Sequence, residues 1–335
     1  IDGGHLTNAC NALWTGIEIH GSDNFSQLSG TPGKVKVING GIIEHAVCGI
    51  RTGEEIIGGY EPSAGIVQAY GGIFKDNISD IWLHPYQNFN PVTEEPANNL
   101  SRFKSSEFIT TQSFYNFTGS PTLGDHINLY QVEGVLFKGN TFKNIAITNG
   151  EYRGTGIFSA SAGFYVYNEC AVPNTTPCPE YYISRFQHLD YGIMVLDDRE
   201  SLPIVIDSAT FTDNKRGILM SGVNNAEITR NIFEMDVIDT YHQTSDTLVG
   251  VYLEACQEFL LTENYFTGYS GTQMDHAAIY AHNLGPYYSE IYNNSIENLS
   301  CGIIAAGENR DEEDNDVGLC IKCNDFTDCQ YDVYV

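Results

Sequence analysis

One short phrase, an asparagine, any residue, then a large apolar side chain, recurs at Asn231-Ile232-Phe233, Asn264-Tyr265-Phe266, Asn294-Ser295-Ile296 and Asn324-Asp325-Phe326. The asparagines are 33, 30 and 30 residues apart. An earlier copy is Asn140-Thr141-Phe142, and Ala209 stands where the asparagine would precede Thr210-Phe211. Ahead of these runs a second phrase, a small residue, then Ile or Val, then alternation: Gly192-Ile193-Met194-Val195, Gly217-Ile218-Leu219-Met220, Gly250-Val251-Tyr252-Leu253, Ala278-Ile279-Tyr280-Ala281 and Gly302-Ile303-Ile304-Ala305. Self-similarity at this period marks a solenoid, in which each repeat buries its apolar face only against its neighbours. The apolar runs are too short and too alternating for helices. The fold expected is therefore all-β, a single-stranded right-handed parallel β-helix with loop insertions, each unit being two short strands and an Asn-centred bend.

The asparagine is expected to turn the chain, because it tolerates left-handed backbone and its amide can bond its neighbours in the stack. Phe142, Phe211, Phe233, Phe266, Ile296 and Phe326 should then form one buried column. The 335 residues read as one domain, 1–335. Ile1 opens mid-motif and Val335 closes inside a strand, which predicts a piece of a longer secreted chain. Irregular stretches at Pro85 to Asn99, Asn116 to Asp125, Asn168 to Glu180, Asp239 to Thr247 and Ala306 to Asp316 are expected to protrude near one edge, many of them after the first strand of a unit.

Sixteen Lys and Arg against 43 Asp and Glu give a net charge of −27, which disfavours nucleic acid, anionic membranes and acidic polymers as partners. No apolar run approaches the roughly 18 residues of a membrane span, so membrane insertion is not expected. Nine cysteines suit an oxidising, extracellular setting. Cys170 and Cys178, enclosing two prolines, read as a disulfide-closed loop. Cys320, Cys323 and Cys329 lack the fourth ligand of a zinc site.

The segments Trp14-Thr15-Gly16-Ile17-Glu18-Ile19-His20, Ile42-Ile43-Glu44-His45-Ala46, Cys48-Gly49-Ile50 and Cys320-Ile321-Lys322-Cys323-Asn324-Asp325-Phe326 resemble the β-helix region of secreted Bacteroidetes surface proteins. Those are cargo of the type IX secretion system, within the wider pectate-lyase-like fold class. The resemblance implies an extracellular, cell-surface module, a spacer or adhesin, and supplies no catalytic motif.

With the residue after each Gly pointing inward, the next faces out: Glu18, Trp82, Met194, Leu219, Tyr252, Tyr280, Ile304 and Tyr334. Tyr252, Tyr280 and Trp82 are the candidate ligand-binding residues, since exposed aromatic rings stack on sugars or dock a partner. Stacked neighbours at Tyr252 and Tyr280 would form a flat platform; loops folded over the face would instead make it a second core. Two residues further on, the same face carries His20, His84, Leu196, Ser221, Glu254, His282 and Ala306. Glu254 and His282, on consecutive coils, are candidates for acid/base chemistry or for a surface hydrogen bond.

Asp197-Asp198 is like the paired acids of polygalacturonase-type hydrolases, but the Gly-His-Gly and Arg-Ile-Lys segments of those enzymes are absent. Asp311, Glu312, Asp314 and Asp316 form an acidic loop, either solvated or a loose calcium site; it lacks EF-hand spacing. No other cofactor is expected. The function favoured is a non-catalytic extracellular module binding a polysaccharide or a cell-surface protein. The alternative is a polysaccharide-degrading hydrolase or lyase.

Overall fold

Side-chain alternation and the recurring corners build three long parallel sheets, and the chain visits each once per coil. The computed structural model describes residues 1–9, 12–56, 59–117, 122–147, 152–172, 174–196, 202–235, 248–268, 276–311 and 317–335. The first sheet has 11 strands, from Ile17–Ile19 to Tyr331–Tyr334; the second has 10, from Lys34–Ile38 to Leu319–Lys322; the third has 11, from His5–Leu6 to Asp325–Thr327. No α-helix occurs among the described residues. The architecture is the parallel β-helix expected from the repeat, with crossovers of the right-handed sense that parallel strands adopt.

The unit has three strands rather than two. Val249–Glu254 lies in the first sheet, Leu260–Thr262 in the second and Tyr265–Gly268 in the third, so the second extended piece is broken by its bend into two. The bend also works differently from expectation. Left-handed backbone falls on Arg230, Glu263, Asn293 and Cys323, each one residue before the repeat asparagine. The asparagine instead supplies hydrogen bonds that a sharp corner cannot make from backbone alone. Asn264 Oδ1 accepts from the Asn231 N–H and Nδ2 at 2.9 and 3.0 Å, while its own Nδ2 donates to Ile228 O at 2.9 Å. Asn294 does the same for Asn264, and Asn324 for Asn294. Buried polar groups left unpaired are costly, so the ladder holds the four corners from Asn231 to Asn324 to one another.

Inside the third sheet, Phe74, Phe108, Phe142, Phe186, Phe211, Phe233 and Phe266 stack with centroids 4.5 to 5.0 Å apart. Ile296 and Phe326 continue that column in register, so all six residues expected there align, five of them buried and Phe326 half-buried. The small residue near the start of most first-sheet strands is explained by this column. A Cβ on Gly250 would lie 2.7 Å from the Ala278 carbonyl oxygen and 2.7 Å from the Phe266 ring, and Gly156, Gly192, Gly217 and Gly302 face the same obstruction.

The irregular stretches do not share one edge. Pro85 to Asn99 and the described start of the Ala306 to Asp316 stretch leave the first sheet for the second, Asn168 to Glu180 stands between the second and the third, and Asn116 to Asp125 stands between the third and the first; Asp239 to Thr247 lies outside the described residues. Insertions therefore flank the first sheet on both sides. Cys170 and Cys178 are bonded, closing the loop that an antiparallel pair, Glu169–Cys170 with Tyr181–Tyr182, begins and ends.

Candidate functional site

The first sheet carries its outward residues in rows along the solenoid axis. One row runs Glu18, Arg51, Trp82, Asn128, Phe158, Met194, Leu219, Tyr252, Tyr280, Ile304, Tyr334. All eight residues expected in it are there. Arg51, Asn128 and Phe158 were missed, although Gly49-Ile50 and Gly156-Ile157 carry the same small-then-Ile signal. Asn128 had no such signal, because His126 replaces the glycine of its strand. That His126 lies buried, 2.6 Å from Asp80, which occupies the same strand position one coil earlier.

Tyr252 and Tyr280 are half-buried and stack with centroids 5.0 Å apart and planes 9° from parallel. This stack excludes the flat platform. Rings piled along the axis turn their faces to one another, leaving edges and hydroxyls for a ligand. Burial, and after it the neighbouring Glu254 carboxylate, push the Tyr252 phenol above its ordinary range. The Arg216 guanidinium stands 5.8 Å from the Tyr252 ring centre.

The adjacent row pairs Ser221, Glu254, His282 and Ala306. His282 Nδ1 lies 2.5 Å from Glu254 Oε2, and the Tyr252 hydroxyl donates to that same oxygen at 3.3 Å. Both side chains are about one-third exposed, 31% for Glu254 and 34% for His282, so a ligand can reach them. The cluster offers phenol and imidazole donors beside a carboxylate acceptor, a set suited to hydroxyl groups.

His84 does not belong to the outward row. It is buried beneath the turn that carries Gly53, and burial, followed by the Arg51 charge, lowers its imidazole to about 4. Trp82 stays in the row but contacts Tyr130 and His84 at 5.9 and 5.8 Å, five strand steps or about 24 Å from Tyr252. It belongs to a second aromatic cluster, with Tyr130 and Phe158. Asp197, Asp198, Glu312, Asp314 and Asp316 lie outside the described residues. Asp311 is described at its loop's base, where its N–H donates to Val317 O at 3.0 Å.

Fold and site together define a parallel β-helix with an outward polar-aromatic face. Residues 105–334 match the family described as "Periplasmic copper-binding protein (NosD)". That is well over half of the chain, and the protein belongs to this family. No curated protein matches. Among solved structures, the Streptococcus pneumoniae surface protein and adhesin PfbA is similar at 12% identity over 92% of each chain, with a TM-score of 0.44.

Copper takes imidazole, thiolate and thioether donors in convergent sets. Among the described residues no three His, Cys, Asp or Glu side chains converge in that way. Glu44 comes nearest, with His5 at 2.9 Å and His45 at 3.6 Å, but the Lys75 ammonium is 3.9 Å from the same carboxylate and would oppose a cation. Glu44 also lies outside the matched segment. Among the described residues, Glu254 is the one carboxylate paired with His282, beside the Asn283 amide at 3.4 Å, which is no copper donor. These donors do not fit a resident copper ion.

Proposed function

We propose that this protein is a non-catalytic binding module of the cell envelope or exterior, taking a hydroxyl-rich glycan on the outward face of its first sheet. The observation that carries the reading is the Tyr252–Tyr280 stack presenting its edge beside the Glu254–His282 pair. Edge-on rings give a narrow apolar ridge against which a sugar packs its C–H groups, while the carboxylate and imidazole bond its hydroxyls. The disulfide and the family's periplasmic description both support an oxidising compartment outside the cytoplasm. No helix of the described chain is long and apolar enough to cross a membrane. A cell-surface protein is the other partner such a ridge suits, with the solenoid then serving as adhesin or spacer.

The Glu254–His282 pair also has the makings of acid/base catalysis, which keeps a polysaccharide-degrading enzyme as the second reading. Glycoside hydrolysis needs a further carboxylate across the bond, and Asp198 is the candidate from the sequence. One screen separates the two. The protein is tested against diverse polysaccharides for retention and, in parallel, for reducing-end or unsaturated products. Retention without turnover is expected. Turnover abolished by Glu254→Gln or Asp198→Asn would instead make the protein an enzyme.

A further inference from the structure

The charge of −27 is not evenly spread. Five of the 16 cationic side chains, Lys34, Lys36, Arg102, Lys104 and Lys138, stand on the outward face of the second sheet within its first four coils. Four of them lie in two rows by register, and Lys34, paired with Ile66, stands beside the first row. One runs Lys36, Gln68, Arg102, Leu136, Tyr165; the other runs Ile38, Tyr70, Lys104, Lys138, Tyr167. Lys34 and Lys36 are exposed and Arg102 is half-exposed, and among the described residues none of the three has a carboxylate within ion-pairing distance. Lys104 and Lys138 share a single acid, Glu169, at 3.1 and 3.8 Å. The patch thus gathers five cations around Glu169, bordered by acids at both ends: Asp2 beside Ile38 at one, and Glu133, Asp207 and Glu227 near the nearly parallel Tyr165 and Tyr167 rings at the other.

We infer that this face binds an acidic polysaccharide, a linear glycan carrying carboxylate or sulfate groups. The inference is independent of the first-sheet site and reverses, locally, what the net charge disfavours. A solenoid spaces its cations at one-coil and two-coil steps, about 4.8 and 10 Å, so a chain with regularly repeated anions lying along the axis meets them in turn. The interleaved Gln68 amide and the Tyr70, Tyr165 and Tyr167 rings serve the hydroxyls and C–H faces between the charges. A lipid surface asks for protruding apolar side chains, whereas the aliphatic members here, Ile38 and Leu136, are half-buried in the sheet. At physiological ionic strength charges more than about 8 Å away are largely screened, so the acidic remainder of the molecule does not cancel the patch.

The test uses the full chain on columns of dextran sulfate, polygalacturonate and neutral dextran. Retention on the two acidic glycans at about 0.05 M salt, release by about 0.5 M, and no retention on neutral dextran are expected. Lys36→Glu with Arg102→Glu should weaken binding at least about tenfold, while Lys322→Glu, at the far end of the same sheet, should not. Lys34→Glu with Lys36→Glu, both on the exposed first strand, replaces the first pair if Arg102→Glu impairs folding. No retention on either acidic glycan, or equal retention of the charge-reversed protein, overturns the inference. Equal or stronger capture of duplex DNA or anionic phospholipid vesicles also overturns it, since charge alone would then be the determinant.

Discussion

Asn264 shows how much a single side chain contributes here, because its amide serves three groups on the preceding coil and donates to Asn294 Oδ1 on the next. Asn264→Ala leaves the Asn231 N–H without its acceptor and takes the Asn264 amide donor from Ile228 O, while Asn231 Nδ2 loses one of two acceptors and keeps Ile206 O. At about 1–3 kcal/mol for each orphaned group, a stability loss of about 3 kcal/mol is expected in urea unfolding, and a loss below about 0.5 kcal/mol would refute the ladder's role. The sequence showed that asparagine marks the corner but not how. Left-handed backbone and amide bonding both favour asparagine in a turn, and only the register of coils shows that Glu263 takes the first role and Asn264 the second. His84 was misplaced for a related reason, since alternation points it outward and the turn above it, remote in sequence, buries it. Its lowered imidazole has a consequence for stability. A folded value of about 4 against an ordinary 6.5 means that His84 favours the fold fully above pH 6.5 and that this contribution is lost as pH falls toward 4. Thermal midpoints should fall over that interval, and fall less in His84→Leu.

The first-sheet strand and the third-sheet strand constrain each other through the Gly and Phe columns. Gly156, Gly192, Gly217, Gly250 and Gly302 each lie against a phenylalanine of the third sheet, whereas Ala278 occurs in the coil whose ladder residue is Ile296. The smaller aliphatic side chain leaves room for the methyl group. Gly250→Ala alone should therefore cost about 1–3 kcal/mol through overpacking. Combined with Phe266→Ile it should recover at least about 0.5 kcal/mol relative to the sum of the two single changes, measured as a double-mutant cycle. Simple additivity would show that the methyl group meets no obstruction from that ring. Periodicity alone made the strands and the column legible in the sequence, since each coil repeats one apolar pattern. The insertions were not legible in the same way, because a break in a repeat does not say which of three corners it extends. Nor did adjacency on one row reveal ring orientation. Tyr252 and Tyr280 were expected as neighbours, but whether their faces point along the axis or outward depends on side-chain rotamers, which register alone does not determine.

For the whole molecule, a solenoid turns a sequence repeat into lines of side chains many coils long. Net charge and composition average over those lines. The acidic total hides a cationic face on the second sheet, and the aromatic total hides two separate clusters on the first, one at Trp82 and one at Tyr252 and Tyr280. Binding on the first sheet is the central claim, and isothermal titration calorimetry with an oligosaccharide of the best-retained polysaccharide tests it most directly. Tyr280→Ala and Glu254→Gln should each weaken binding about tenfold or more, the loss of one packed ring or one charged hydrogen bond, while Trp82→Phe leaves it unchanged. Unaltered affinity in both Tyr280→Ala and Glu254→Gln would place the ligand elsewhere and contradict the account.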